Sequence, residues 1–271
     1  MAQDYPHGHH QSVLRGHGWR TVSNSAAYLL GSLRPDMVIL DVGCGPGSIT
    51  VDLASLVPQG KVVGMDTTSD PFEEGLKLAA ERGVNNVSFD VGDAKKLPFP
   101  DKTFDMVHAH QVVQYLDKDA RIQAIREMRR VAKTGGLVCL REGDQGTVTF
   151  YPEVDGLQEF IDLYCKIARA NGGEPDAGRR LHTWVKEAGF QAADITVTAG
   201  TWCYNSPKER AWWSSVWVDR IQQSGLKETA LTGGHATQKD LDRLAEAWRT
   251  WGSNEDGWYA IVHGEVICQV R

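Results

Sequence analysis

The sequence predicts an α/β fold: an open, mostly parallel sheet of seven strands with an antiparallel terminal strand. Three observations carry this expectation. Five short apolar runs rich in β-branched residues, MVILDV (37–42), KVVGMD (61–66), VSFDV (87–91), FDMVHA (104–109) and GLVCLR (136–141), are separated by stretches long enough for helices. The first run leads straight into a glycine-rich turn, Gly43-Cys44-Gly45-Pro46-Gly47. Two longer alternating runs, ADITVTAGTWCY (193–204) and WYAIVHGEVICQV (258–270), then supply the last pair of strands. Alternation of strand and helix implies a parallel sheet covered on both faces.

Taken in chain order, residues 1–34 are expected to form an N-terminal helical lid, residues 35–145 a cofactor-binding core, and residues 146–271 helical insertions with the last two strands, all in one domain. Between the fourth and fifth strands, Ile122, Ile125, Met128 and Ala132 share one face of a charged segment, and Gly135-Gly136 is expected to end that helix. Helices over 156–170 and 178–190 flank the connection NGGEPDAG. Ser206-Pro207-Lys208-Glu209 is a helix start: a Ser cap, a Pro in the first turn and a Glu placed to reach back. Thr237 to Asp240 repeats that signal.

Composition narrows the function. The 271 residues carry 29 Lys+Arg and 35 Asp+Glu, a formal charge of −6, which disfavours a polyanionic partner such as nucleic acid. No run is long and apolar enough to span a membrane, and Met1–His10 does not read as a secretory signal, so a cytoplasmic setting is expected. Cys44, Cys139, Cys165, Cys203 and Cys268 are dispersed and never form a C-x-x-C pair, which argues against a disulfide framework or a zinc site. His7, His9 and His10 have no Cys or carboxylate at ligand spacing, so no metal is expected. Seven of the nine tryptophans lie after residue 200, so the last third is built differently from the rest.

The glycine turn is the most informative segment. Glycines there allow a sharp turn and close approach to a ligand, and the following helix start offers unpaired N–H groups. The spacing is G-x-G-x-G with Asp41 two residues before Gly43, rather than the dinucleotide G-x-G-x-x-G. A carboxylate beside the turn repels a pyrophosphate and attracts a cation, which fits S-adenosylmethionine, with its sulfonium and ammonium and no phosphates.

This stretch resembles motif I of the class I S-adenosylmethionine-dependent methyltransferases, especially the small-molecule group related to the ubiquinone and menaquinone biosynthesis enzymes. That resemblance covers roughly residues 35–142 and implies a Rossmann-like fold. It places Asp41, Gly43, Cys44, Gly45 and Gly47 at the cofactor turn, and Asp66, followed by Thr67, at the ribose hydroxyls. Gly92-Asp93-Ala94 matches the loop whose Asp contacts the adenine amino group. LPFPDKTFDMVHAHQVVQYL (97–116) resembles the fourth-strand segment, putting His110, Gln111 and Tyr115 beside the methionine part, and MRRVAKTGGLVCLRE (128–142) the following helix and strand. Tyr115, Thr134 and Thr67-Thr68 depart from the residues the family more often has there, outside the core of motif I.

The expected activity is transfer of a methyl group to a small, hydrophobic or aromatic acceptor by in-line displacement, catalysed mainly by alignment and exclusion of water. His17, His110 and Glu142 are the candidate catalytic groups should the acceptor have to lose a proton. Acceptor contacts are expected from Tyr5, Trp19, Tyr151, Trp213 and Trp217, with the Trp-rich helices packed over the active-site edge. Packing alone is the competing explanation of those tryptophans: Trp213, Trp217 and Ile221, like Leu241, Leu244, Trp248 and Trp251, recur at helical spacing. Two rival functions share motif I. One is a protein or nucleic-acid methyltransferase, although HAHQVVQY lacks the Asn/Asp-Pro-Pro-aromatic segment. The other is a protein that binds the cofactor without transferring its methyl group.

Overall fold

The computed structural model describes residues 19–271. A short helix α1 (Val22–Ser25) precedes β1 (Val38–Val42), α2 (Ser48–Leu56), β2 (Lys61–Asp66), α3 (Phe72–Arg82), β3 (Val87–Val91), β4 (Phe104–His110), α4 (Lys118–Val131) and β5 (Ala132–Gly143). Then follow β6 (Thr149–Tyr151), α5 (Leu157–Ala170), α6 (Leu181–Glu187), β7 (Ile195–Tyr204), α7 (Pro207–Gln223), α8 (Gly225–Thr232), α9 (Gln238–Ser253) and β8 (Trp258–Gln269). The sheet runs β3-β2-β1-β4-β5-β8, with β7 on the far side of β8. Strands β1 to β5 are mutually parallel, and β8 is antiparallel to both β5 and β7. This is the expected seven-stranded sheet. The added three-residue β6, not anticipated from the sequence, pairs with the start of β8 at Trp258–Ala260.

Alternation along β1 shows why both faces are covered. Leu40 and Val42 enter a core built with Val63, Val107, Leu140 and the α4 residues Ile122, Ile125 and Met128. Ile39 enters the opposite core with Leu53 of α2, Val62, Met106 and Leu29. A third core holds the tryptophans: Trp213 and Trp217 of α7, Trp248 and Trp251 of α9, Phe160 of α5 and Tyr259 of β8. Both expected capping boxes form, Ser206 with Glu209 and Thr237 with Asp240.

Two boundaries differ from expectation. Helix α4 stops at Val131, before Gly135-Gly136, because Ala132 already pairs with Phe104 as the first residue of β5. The glycines instead carry the register shift before Met106 meets Leu137, with Gly135 at φ 81°. The segment expected as one helix over 178–190 is a 3-10 turn, Gly178–Arg180, followed by α6, which gives way to Gly189 at φ 101°. Among the described residues no helix is long and apolar enough to cross a membrane, and no cluster of His, Cys, Asp and Glu could hold a metal ion.

Candidate active site

The glycine turn joins β1 to α2 with all three glycines left-handed: Gly43 at φ 68°, Gly45 at 53° and Gly47 at 77°. Space demands glycine as well. A Cβ on Gly43 would stand 2.4 Å from Cγ2 of Val112, and one on Gly47 2.6 Å from the Phe89 ring. The turn is pinned to the end of β2, where the N–H groups of Gly43 and Cys44 both donate to the Met65 carbonyl at 2.7 and 3.0 Å. Asp66, the next residue, accepts from the Gly45 N–H at 2.8 Å and, through its other oxygen, from the Thr67 N–H at 2.7 Å.

Asp41 faces inward. Its pairing opposite His108 in the β1–β4 register puts both side chains on one face, where Asp41 Oδ1 meets His108 Nδ1 at 2.7 Å and Oδ2 accepts from the Thr50 hydroxyl at 2.6 Å. Its carboxylate thus ties β1, β4 and the first turn of α2 together below the glycines. Burial and the carboxylates of Asp41 and Asp66 push the Cys44 thiol well above its ordinary range, so it stays protonated. Asp93 sits in the loop after β3, accepting from the Lys95 N–H at 2.9 Å, and Ala94 packs against the core.

The segment following β4 gathers the remaining candidates. Gln111 is left-handed at φ 54°, a conformation that costs a non-glycine residue about 1–2 kcal/mol. Three hydrogen bonds hold it there: its N–H donates to the Arg141 carbonyl (2.8 Å), its Oε1 accepts from Arg20 (2.6 Å), and its Nε2 lies 3.0 Å from His263 Nε2. Because the amide nitrogen is the donor, His263 Nε2 accepts and its proton resides on Nδ1. Next, the N–H groups of Val112 and Val113 donate to Glu142 Oε1 at 2.9 and 2.8 Å. Glu142 is fully buried, and its other oxygen has no partner among the described residues. Burial drives its pKa up to about 8 against the opposing effect of those backbone donors, so it is mostly protonated at neutral pH. His110 and His263, buried near Arg20 and Arg141, are held well below the usual imidazole range by desolvation first and by those cations second. Both rings are neutral.

Beyond Gln111 lies a cavity. Its walls include Gln111 and Tyr115, Trp19 and Arg20 before α1, Trp202 and Tyr204 of β7, and Trp212, Trp213, Trp217 and Arg220 of α7. The rings pack against one another, Trp19 on Trp212 at 5.1 Å and Tyr204 on Trp213 at 4.5 Å between centroids. Three of the expected acceptor contacts, Trp19, Trp213 and Trp217, therefore meet two of the expected cofactor neighbours, Gln111 and Tyr115. Tyr151 is elsewhere: it is 59% exposed on β6, outside the cavity lining. His17, Tyr5, His7, His9 and His10 lie outside the described residues.

Comparison with known proteins decides the class. A methyltransferase domain model matches residues 33–189, more than half of the chain. The chain belongs to the methyltransferase family. This methyltransferase is 35% identical to an uncharacterized methyltransferase of Schizosaccharomyces pombe across 97% of its own length and 95% of that protein's. It is 32% identical to the demethylmenaquinone methyltransferase of Symbiobacterium thermophilum, over 60% of this chain and 72% of that one. Its fold is shared with the YcgJ protein of Bacillus subtilis, at a TM-score of 0.58 and 18% identity, covering 90% of this chain and 97% of that one.

S-adenosylmethionine is the cofactor of this methyltransferase, and the residues present fit it. A turn of three left-handed glycines, two of them with no room for a Cβ, and the carboxylate of Asp66 bonded to the Gly45 N–H at its edge suit a cationic ligand without phosphates. Sequence reasoning missed Trp202, His263, Arg20 and Arg220. Trp202 and His263 come from the last two strands, whose register no local pattern encodes. Arg220 did leave a signal, since it follows Trp213 and Trp217 at i+7 and i+3, on the helix face that also buries Val216 and Ile221.

Proposed function

We propose that the chain transfers the methyl group of S-adenosylmethionine to a small organic acceptor with a hydrophobic or aromatic body, seated in the tryptophan-lined cavity. One observation carries this reading. The segment Gln111–Tyr115 touches the glycine turn on one side, through Val112 against Gly43, and lines the aromatic cavity on the other. Donor and acceptor sites so joined can present a nucleophile to a methyl group with little water between them.

The glycine turn, Asp66 with Thr67, and Asp93 with Ala94 are the residues that hold the cofactor, and the bound cofactor supplies an electrophilic methyl on a sulfonium. Gln111, fixed from three directions, sets the boundary between the two sites. Glu142 keeps its proton and uses its carbonyl oxygen on Val112 and Val113, so we assign it to positioning that segment. His110, neutral and with neither ring nitrogen bonded among the described residues, stands behind the cavity lining with its ring 5.6 Å from that of Trp202, so we assign it to supporting that wall rather than to proton transfer. The aromatic walls supply stacking surface for a planar body.

Incubation of the pure protein with methyl-labelled S-adenosylmethionine and a panel of quinones, phenols, aromatic acids and amines tests the proposal. Label appearing in an organic-soluble product is expected. A protein that binds the donor tightly yet labels none of the panel, while labelling itself, a peptide or a nucleic acid, would refute the small-molecule reading.

A further inference from the structure

The polar content of the aromatic cavity is one-sided. Arg20 and Arg220 line it with Gln111, Gln114 and Gln145, and no Asp or Glu is among the described lining residues. The chain as a whole is acidic, at −6, so this positive lining is a local arrangement. Arg220 is the decisive residue. It sits on the buried stripe of α7, only 6% exposed, with its guanidinium carbon 5.1 Å from the centroid of the Trp217 ring. Among the described residues it has no ion-pair or hydrogen-bond partner for its side chain, and its Nε is sealed from solvent. The Trp217 indole N–H and the Tyr204 hydroxyl, on the same walls, are likewise buried without a partner. Three unmet hydrogen-bond donors, one of them charged, surround a space to which the described residues contribute no acidic group.

A buried guanidinium stays charged and is disfavoured unless an anion meets it. Arg20 is less suited to be that anion's main partner, since it already donates to Gln111 Oε1. We propose that Arg220 receives an oxyanion of the acceptor, so that the substrate of this enzyme is an organic anion, a carboxylate or phenolate carried on an aromatic body that stacks between the tryptophans. The inference rests on the reading of this cavity as the acceptor site, and adds the charge of what enters it.

Calorimetric titration of the S-adenosylhomocysteine-saturated protein with 1-naphthoate and with its neutral counterpart 1-naphthamide separates charge from shape. The wild type is expected to bind the carboxylate at least about tenfold more tightly, the scale of a charge-assisted hydrogen bond. Arg220→Gln is expected to erase that preference while leaving the amide's affinity essentially unchanged. Arg220→Lys, which keeps the charge and secures the comparison should the glutamine variant fold poorly, is expected to retain part of it. The ligand-free Arg220→Gln protein is expected to melt no lower than the wild type, because burying a guanidinium that meets no anion costs more than its contact with the Trp217 ring returns. Equal affinities in the wild type, or a preference that survives Arg220→Gln, would overturn the proposal, as would a large fall in melting temperature in both variants with the preference intact. Failure of both probes to bind would overturn the placement of the acceptor in this cavity as well. Label transfer to neutral acceptors alone would overturn the anion and leave the methyltransferase reading standing.

Discussion

Replacing Glu142 with glutamine isolates a buried proton that the fold retains at neutral pH. Glutamine matches the protonated side chain in shape and keeps a carbonyl oxygen for the N–H groups of Val112 and Val113. In the unfolded chain Glu142 ionises near its ordinary 4.5, whereas in the folded chain it does so at about 8. Between these values the folded state holds a proton that the unfolded state has lost, so the contribution is fully present below pH 4.5 and lost as pH rises through 8. The slope reaches about 1.4 kcal/mol per pH unit, giving an upper bound near 5 kcal/mol over the window. Other groups tilt the raw curve: His110 and His263, held neutral in the fold, favour unfolding as pH falls below 6.5. The difference between variant and wild type removes them. Urea unfolding at pH 5, 7 and 9 is expected to show the two proteins nearly equal at pH 5, with the glutamine variant gaining about 2–5 kcal/mol by pH 9. Parallel stability curves would show that Glu142 titrates normally and refute the assignment of a buried, proton-holding clamp.

Gly43→Ala places a Cβ at φ 68° and 2.4 Å from Val112, so a stability loss of at least about 2 kcal/mol and a weaker S-adenosylhomocysteine complex are expected, read by urea unfolding and calorimetry. Asp66→Ala removes the acceptor for the Gly45 N–H and the carboxylate proposed to meet the ribose, and is expected to lower cofactor affinity about ten- to hundredfold with little change in melting temperature. Affinity unchanged within twofold would argue against that role. Trp248→Ala empties a site that is 1% exposed between Phe160, Trp217 and Tyr259, so a loss of about 3–5 kcal/mol is expected in urea unfolding, with cofactor affinity retained by the folded fraction.

The parts of this molecule legible in the sequence are those whose physics is local. Left-handed backbone at Gly43, Gly45 and Gly47 requires glycine within five residues of a strand end, and the capping boxes at Ser206 and Thr237 span four residues each. Both were readable. The position of Asp41 was readable, its partner was not: a carboxylate next to a glycine turn suggests a ligand contact, whereas the parallel register of β1 and β4 delivers it to His108. The α4–β5 junction shows the same limit, because Gly135-Gly136 resembles a helix stop until the pairing of Ala132 with Phe104 is known. Gln111 was readable as a site residue, but its conformation left no trace. Its positive φ is imposed by Arg141, Arg20 and His263, which converge from three distant places in the chain.

That convergence explains how the cofactor side and the acceptor side can act as one site. The five residues from Gln111 to Tyr115 are held by β5 through Glu142 and the Arg141 carbonyl, by β8 through His263, and by the N-terminal segment through Arg20. Three hydrogen bonds on Gln111, each worth about 1 kcal/mol net, are enough to offset the cost of its backbone conformation. A segment so fixed cannot follow a ligand, so both ligands must conform to it. Contact of Val112 with Gly43 makes its position sensitive to the glycine turn, while Gln111 and Tyr115 carry the same position into the cavity wall. On the function proposed above, acceptor choice then falls to the surfaces opposite, the rings of β7 and α7 and the arginine they enclose.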